Sequence, residues 1–269
     1  MITSPTNSKI KHVTALISSK KERTESSTFV IEGPKMFIEA PANDITEVYV
    51  SESYEKKLNS AEANAGDMMK DVKDRLSITG YETVSDSVFK KMSDTVTPQG
   101  ILSVVKIHRK KLSDTIDKFG DRPIRIVVLE GLQDPGNMGT IIRTSEAAGI
   151  SFILAGAGTV DMYSTKVVRS TMGSIYRVPV IYTDDLLSDI RYIKSRGIKV
   201  YAAHLKGTST YRDINYGNRS AILIGNEGRG LTDEISELAD TLVKIPMQGQ
   251  VESLNASVAA ALLMFEICR

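Results

Sequence analysis

Three polar stretches in the second half of the chain hold residue types that could do chemistry. The first is Glu130-Gly-Leu-Gln-Asp-Pro-Gly-Asn-Met-Gly-Thr-Ile-Ile-Arg143. Asp134, Pro135 and Gly136 read as a tight turn, and Asn137 as the cap of a following helix. Gly139 would let a ligand approach the backbone, and Arg143 would lie about one and a half turns in. A helix start attracts anions, and an arginine beside it can grip a phosphate through two N–H groups. The same residues also fit a capped helix with a surface arginine. The second stretch, Gly225-Asn-Glu-Gly-Arg-Gly230, has three glycines in six residues, which suits a cradle of backbone N–H groups. It lacks the Gly-Lys-Ser/Thr of a phosphate-binding P-loop and the glycine spacing of a dinucleotide fold. Glu227 is either an acceptor that braces this loop or a functional carboxylate. The third stretch, Ile245-Pro-Met-Gln-Gly-Gln-Val-Glu-Ser-Leu-Asn-Ala-Ser257, leads from a short strand into an apolar helix. Ser253 reads as its N-cap, with Leu254, Val258, Leu262 and Phe265 on a core-facing side.

Loops of this kind need strands to leave and helices to enter. Apolar runs predict strands over 124–129, 149–154, 178–182, 199–203, 221–224 and 242–245, with helices over 138–148, 165–172, 184–196 and 233–239. Thr183 and Gly197 bound the third of these helices. Such alternation argues for a mostly parallel sheet covered on both faces, with ligands beyond the carboxyl ends of its strands. The first half reads as a smaller α/β unit. Its helices are expected over 7–19, 35–40, 54–76 with a break near Gly66, and 86–92. Its strands are expected over 28–33, 45–50, 82–84 and 101–107. The linker is placed at 108–122, where charge rises and Gly120 and Pro123 punctuate. Two domains follow, 1–110 and 119–269.

The formal net charge of +1 demands no nucleic-acid partner, so any RNA contact must come from local clusters. Lys9, Lys11, Lys20, Lys21 and Arg23 stand against Glu22 alone near the start. Lys106, His108, Arg109, Lys110 and Lys111 sit near the expected boundary. Either group also fits a solvated face. No apolar run approaches the roughly 18 residues of a membrane span. Lys9, Lys11 and His12 have no apolar stretch behind them, so a secretory signal is not expected. Cys268 is the single cysteine, which leaves no internal disulfide and argues against a metal site built on cysteine. A reducing cytoplasm is the expected location.

In their order and spacing, Asn137-Met-Gly-Thr-Ile-Ile-Arg143, Gly225-Asn-Glu-Gly-Arg-Gly230, and Ile245-Pro-Met with Ser253-Leu-Asn-Ala-Ser257 resemble three ordered motifs. They are those of the SpoU (TrmH) family of RNA ribose 2′-O-methyltransferases. The resemblance runs through residues 124–269, and Lys166-Val-Val-Arg169 followed by Met172-Gly173 resembles a further family segment. The first 110 residues are similar to the ribosomal-protein-like substrate-binding domain that many members carry. That likeness rests on Phe29-Val-Ile-Glu-Gly33 and the basic helix before it.

The resemblance implies an α/β methyltransferase domain tied in a deep trefoil knot, which general topology rules argue against. It implies S-adenosylmethionine as cofactor, held by backbone around Gly225, Ile245, Met247 and Leu254, with Leu205 and Gly207 closing the cradle. It also implies a homodimer whose active site draws on both subunits. Arg143 would assist deprotonation of the ribose hydroxyl with help from an RNA phosphate, while Asn137, Glu227 and Asn255 complete the catalytic set. Guanidinium groups stay protonated at any physiological pH, so stabilising the developing alkoxide is the less demanding role. Arg169 and Ser257 would contact RNA, and Lys9 and Lys11 would help the first domain select it. The separate first domain favours ribosomal RNA. A transfer-RNA substrate, a base-methylating relative and an RNA-binding module without catalysis are the rival readings. The Ser253–Ser257 stretch favours the ribose-modifying branch, and no residue argues for a role in antibiotic resistance.

Overall fold

The computed structural model describes residues 1–60 and 67–269. The expected helix break near Gly66 lies outside the described residues. In chain order the elements begin α1 (Ser8–Ser18), α2 (Lys20–Ser26), β1 (Thr28–Glu32), α3 (Pro34–Glu39), β2 (Ile45–Ser51) and α4 (Glu52–Ser60). Next come α5 (Asp67–Thr79), β3 (Glu82–Val84), α6 (Asp86–Met92), β4 (Ile101–Lys106), α7 (Leu112–Asp117), β5 (Ile124–Leu129) and α8 (Pro135–Ala148). Then follow β6 (Phe152–Ala155), α9 (Thr165–Thr171), β7 (Val180–Tyr182), α10 (Leu186–Ser195) and β8 (Lys199–Ala203). The chain ends with β9 (Ser209–Thr210), β10 (Arg219–Ile224), α11 (Asp233–Ser236), β11 (Thr241–Lys244) and α12 (Ala256–Ile267). They form two compact units: Met1–His108 with Tyr163–Tyr176, and Arg109–Met162 with Arg177–Arg269. The segment carrying α9, which falls inside the stretch expected for the second domain, thus packs with the first unit.

The first unit is a four-stranded sheet in the order β1-β4-β2-β3. Strand β4 runs antiparallel to β1 and β2, and β3 runs parallel to β2. Residues Ile101–Val105 of β4 are all buried, as a central strand covered on both faces requires. One face packs Ile10, Val13 and Leu16 of α1 against Tyr49, Phe89 and Met92; the other packs Phe37, Val72 and Leu76. The basic run does structural work here. Arg23 is only 5% exposed and donates to the Leu16 and Ile17 carbonyls. It satisfies the last turn of α1, where carbonyls lack partners within the helix. Lys9 is paired with Glu82, whereas Lys11 is exposed.

The second unit is a seven-stranded sheet in the order β7-β6-β5-β10-β8-β11-β9, parallel at every pairing. Its inner strands β6, β5, β10 and β8 are largely buried apolar runs, with Ile124, Ile126, Val128, Phe152, Leu154, Val200, Ala221 and Leu223 in one core. This is the covered parallel α/β sheet that the alternation implied.

Several local assignments differ from the expectation. Helix α8 begins at Pro135, because Asp134 is its N-cap and accepts the Asn137 N–H at 2.7 Å. Asn137 is therefore inside the helix rather than its cap, and Arg143 lies more than two turns in, about 12 Å along the axis from Pro135. Strand β6 starts at Phe152, since Gly149 takes the left-handed conformation that closes α8. Asp185, not Thr183, caps α10. Asn255, not Ser253, caps α12. The buried side of α12 is Ser257, Ala260, Leu263, Met264 and Ile267, while Val258 and Phe265 are 48% and 55% exposed. A helix apolar nearly all round has no period to reveal its inner face. Helices α2 and α7 and the two-residue strand β9 were not anticipated.

Candidate active site

The site begins where β5 and β10 end side by side, with Leu129 opposite Ile224. The loops leaving them meet at Glu227. Its carboxylate accepts the Gln133 N–H at 3.1 Å, the Asp134 N–H at 3.0 Å and the Asn137 Nδ2 at 3.1 Å. Asn137, 8% exposed, also accepts the Asn255 Nδ2 at 3.0 Å. Asn255 Oδ1 in turn accepts from the Ser257 N–H at 2.9 Å, the Val258 N–H at 3.3 Å and the Ser257 hydroxyl at 2.7 Å. The chemistry permits one orientation of this chain. A carboxylate only accepts, so the Asn137 amide nitrogen must face Glu227 and its oxygen must face Asn255. The Asn255 oxygen is then left for the α12 amides. Asn137 is thus the hub that joins three loops separated widely in sequence.

Partial burial by itself pushes the Glu227 carboxyl up. The hydrogen bonds from Asp134, Asn137 and Gln133 outweigh it and hold the group below the ordinary carboxylate value. A carboxylate with its oxygens occupied and its proton affinity reduced is a poor general base. Of the two roles open to Glu227, the geometry is that of a brace. Asn226 shapes the same loop. It donates to the Gly131 carbonyl at 2.8 Å and accepts the Gly228 N–H at 3.0 Å. The sequence reading passed over it, although an asparagine beside glycine is a usual turn-former.

Arg143 is exposed and forms no ion pair among the described residues, whereas its neighbours Ile141 and Ile142 are buried. Its guanidinium is therefore open to an outside anion. Ser257 is buried and its hydroxyl is spent on Asn255, so it supports Asn255 from behind. Arg169 lies in the first unit, 3.4 Å from Asp94.

The loops named for the cofactor leave three strands that are neighbours, β10, β8 and β11. They are tightly closed. A Cβ on Gly225 would stand 2.1 Å from the Gly230 carbonyl carbon, because Asn226 and Gly230 exchange two backbone hydrogen bonds of 3.0 Å. A Cβ on Gly207 would stand 2.8 Å from the Lys244 nitrogen. Apolar surface is left exposed beside these turns: Leu205 and Val251 are each 62% exposed, and Ile245, Met247 and Leu254 are half-buried. Apolar side chains next to closely approaching backbone suit an adenosine with its flat faces and polar edges. The residues present therefore fit S-adenosylmethionine. Among the described residues, no group of three or more His, Cys, Asp or Glu side chains could hold a metal ion.

Residues 124–265 match the SpoU rRNA Methylase family. The chain belongs to that family. Residues 7–103 match the MRM3-like substrate binding domain. A similar relative of this SpoU member is the 23S rRNA (guanosine(2553)-2'-O)-methyltransferase RlmP of Bacillus subtilis. It is 33% identical over 99% of this chain and 98% of its own length. Among solved structures, the AdoMet-bound rRNA methyltransferase from Sinorhizobium meliloti superposes with a TM-score of 0.81 at 30% identity. That match covers 99% of this chain and 96% of the other. A structure described as an RNA 2'-O ribose methyltransferase gives a TM-score of 0.78 at 30% identity, covering 99% of this chain and 97% of the other.

Proposed function

We propose that this SpoU family member methylates a ribose 2′-hydroxyl in RNA, with S-adenosylmethionine as donor and ribosomal RNA as substrate. The junction of Asn137, Glu227 and Asn255 carries this reading. It sets the loops after β5 and β10 and the start of α12 in one arrangement, beside the apolar cradle at the ends of β8, β10 and β11. Bound in that cradle, S-adenosylmethionine supplies a methyl group already activated on its sulfonium. What remains for the protein is to align the hydroxyl and manage its proton. Arg143 supplies an exposed positive charge that holds an RNA phosphate and stabilises the oxygen as its proton leaves. Asn137 and Asn255 fix the loops around that oxygen, and Glu227 acts through them. The substrate class is supported by the whole-length likeness to RlmP, whose name states a 23S rRNA ribose substrate.

Within the same reading, residues 1–110 bind RNA and residues 119–269 transfer the methyl group and carry the trefoil knot. The chain works in the cytoplasm as a homodimer. The exposed Val258 and Phe265 on α12 support the dimer, since exposed large apolar side chains on one side of a helix are usual at interfaces. Ribose-methylation mapping of total RNA, from cells with and without the gene, tests the whole reading. One ribosomal position should lose its methyl group and regain it on incubation with purified protein and S-adenosylmethionine. An unchanged map would remove the reading, and a lost transfer-RNA methyl group would move the substrate.

A further inference from the structure

The first unit contains a chain of contacts that ends on Arg169, the residue read above as an RNA contact. It starts at Glu32, the last residue of β1, which is 9% exposed. Its carboxylate accepts from the Ser93 hydroxyl at 2.8 Å, the Thr95 hydroxyl at 3.0 Å and the Gln99 N–H at 2.9 Å. One buried carboxylate thus pins three points of a single loop, and charge-assisted hydrogen bonds of this kind are the stronger sort. Asp94 lies between two of the pinned residues and turns outward. Its carboxylate accepts from the Thr165 hydroxyl and from the Arg169 guanidinium at 3.4 Å.

Thr165 and Arg169 belong to the segment Tyr163–Tyr176, which packs with the first unit although it lies within the family match over 124–265. The segment is tied down at both ends. Tyr163 packs on Phe29 with ring centroids 4.8 Å apart, and the Tyr176 hydroxyl donates to the Met36 carbonyl at 3.1 Å. Asp94 is the grip in the middle. That grip takes one nitrogen of a guanidinium that has five N–H donors. The arginine is oriented without being used up.

We infer that Asp94 is a positioning residue for RNA binding: fixed through its loop by Glu32, it presets Arg169 so that the free part of the guanidinium receives a backbone phosphate. A long flexible side chain loses rotamer freedom on binding, and orienting it beforehand lowers that cost. A carboxylate near a phosphate also repels it, so the two effects have opposite signs. Asp94 accepts from Thr165 as well as Arg169, and its loop is pinned on both sides. Its charge is thereby engaged by those two donors, and preorganisation prevails.

The inference rests on the RNA-methylating reading, and the test separates the two. The full-length chain and the variants Asp94→Ala, Asp94→Asn, Arg169→Ala and Asp94→Ala/Arg169→Ala are compared on unmodified 23S rRNA and transfer-RNA transcripts across a salt series. Asp94→Ala and Arg169→Ala should each weaken RNA binding about three- to tenfold and each lower the salt slope by about one phosphate. Both should raise KM for RNA and leave kcat within about twofold. Asp94→Asn, which keeps an acceptor for Thr165, should lie between Asp94→Ala and wild type. In the Arg169→Ala background the Asp94 change should add less than about twofold, the mark of two residues acting as one. Tighter binding by Asp94→Ala would make Asp94 a competitor of phosphate and overturn the inference. Additive losses in the double variant, or wild-type binding in the single one, would overturn it too. A wild-type chain that binds S-adenosylmethionine calorimetrically but neither transcript would remove the functional reading itself.

Discussion

Asn137 accepts the Asn255 side-chain amide at 3.0 Å across 118 positions of chain. Because Asn137 also donates to the acceptor-only Glu227, neither amide can turn over without breaking two hydrogen bonds. Asn137→Ala should therefore cost about 1–3 kcal/mol, the range for losing one hydrogen bond to a charged group and one neutral bond, because Asn137 is buried while its partners Glu227 and Asn255 are exposed. Methyl transfer should fall at least about tenfold, as loops on three elements lose their common reference. Urea unfolding and single-turnover methylation check the two parts. An unaltered variant in both would mean that the loops are held by something else.

Glu227 sets a pH signature. Its hydrogen bonds hold the carboxyl below the ordinary value of 4.5, so between the two values the folded loop binds fewer protons than the unfolded chain. The stability it contributes is then fully present above about 4.5 and is lost as pH falls through the lower, folded value. Glu227→Gln should lower the thermal midpoint at neutral pH, and the gap from wild type should shrink as pH drops below 4.5. A gap of constant size from neutral pH to pH 3 would show that charge is not what the loop uses.

Arg143 is exposed without an ion pair among the described residues, so its removal should disturb the fold little. Arg143→Ala should lower methyl transfer by at least about a hundredfold, in the range seen when one electrostatic stabiliser is removed. Affinity for S-adenosylmethionine, measured by calorimetry, should stay within about twofold. Arg143→Lys should restore only part of the rate, since an ammonium cannot reproduce a two-pronged phosphate contact. Turnover at the wild-type rate in Arg143→Ala would take Arg143 out of the chemistry.

The legible parts of this chain were those with a local cause. Strand β5 is an apolar run because both its faces are covered, and its bounds could be read from Ile124 to Leu129. The three glycines between Gly225 and Gly230 pointed to a loop built from backbone, and a Cβ on Gly225 would indeed stand 2.1 Å from the Gly230 carbonyl carbon. Caps were harder: Asp134 and Asn137, or Ser253 and Asn255, are equally able to cap a helix start. The choice between them is made by partners far away, Glu227 for the first pair and Asn137 for the second. The same distance hid the role of Glu227, whose donors Gln133, Asp134 and Asn137 come from another loop. It also hid the attachment of Tyr163–Tyr176 to the first unit, through Phe29, Asp94 and Met36.

The outward face of α12 yields the last prediction. Val258 and Phe265 stand seven positions apart, two helical turns, and therefore on one side of the helix. The inner side is already committed: Met264 accepts the Ser145 hydroxyl of α8 at 3.2 Å, and the Ile267 carbonyl accepts from Arg125 at 2.7 Å. The helix cannot rotate to hide its outer residues without giving up those contacts. A second copy of the chain is the proposed cover. Phe265→Asp should then move the protein from dimer to monomer in sedimentation equilibrium, since a carboxylate in an apolar interface is desolvated without a partner. The far-ultraviolet spectrum should be unchanged, because the substituted side chain is already exposed. If the active site draws on both subunits, methyl transfer should fall with protein concentration in step with the dimer. A wild-type chain that sediments as a monomer at micromolar concentration would refute the proposed pairing outright.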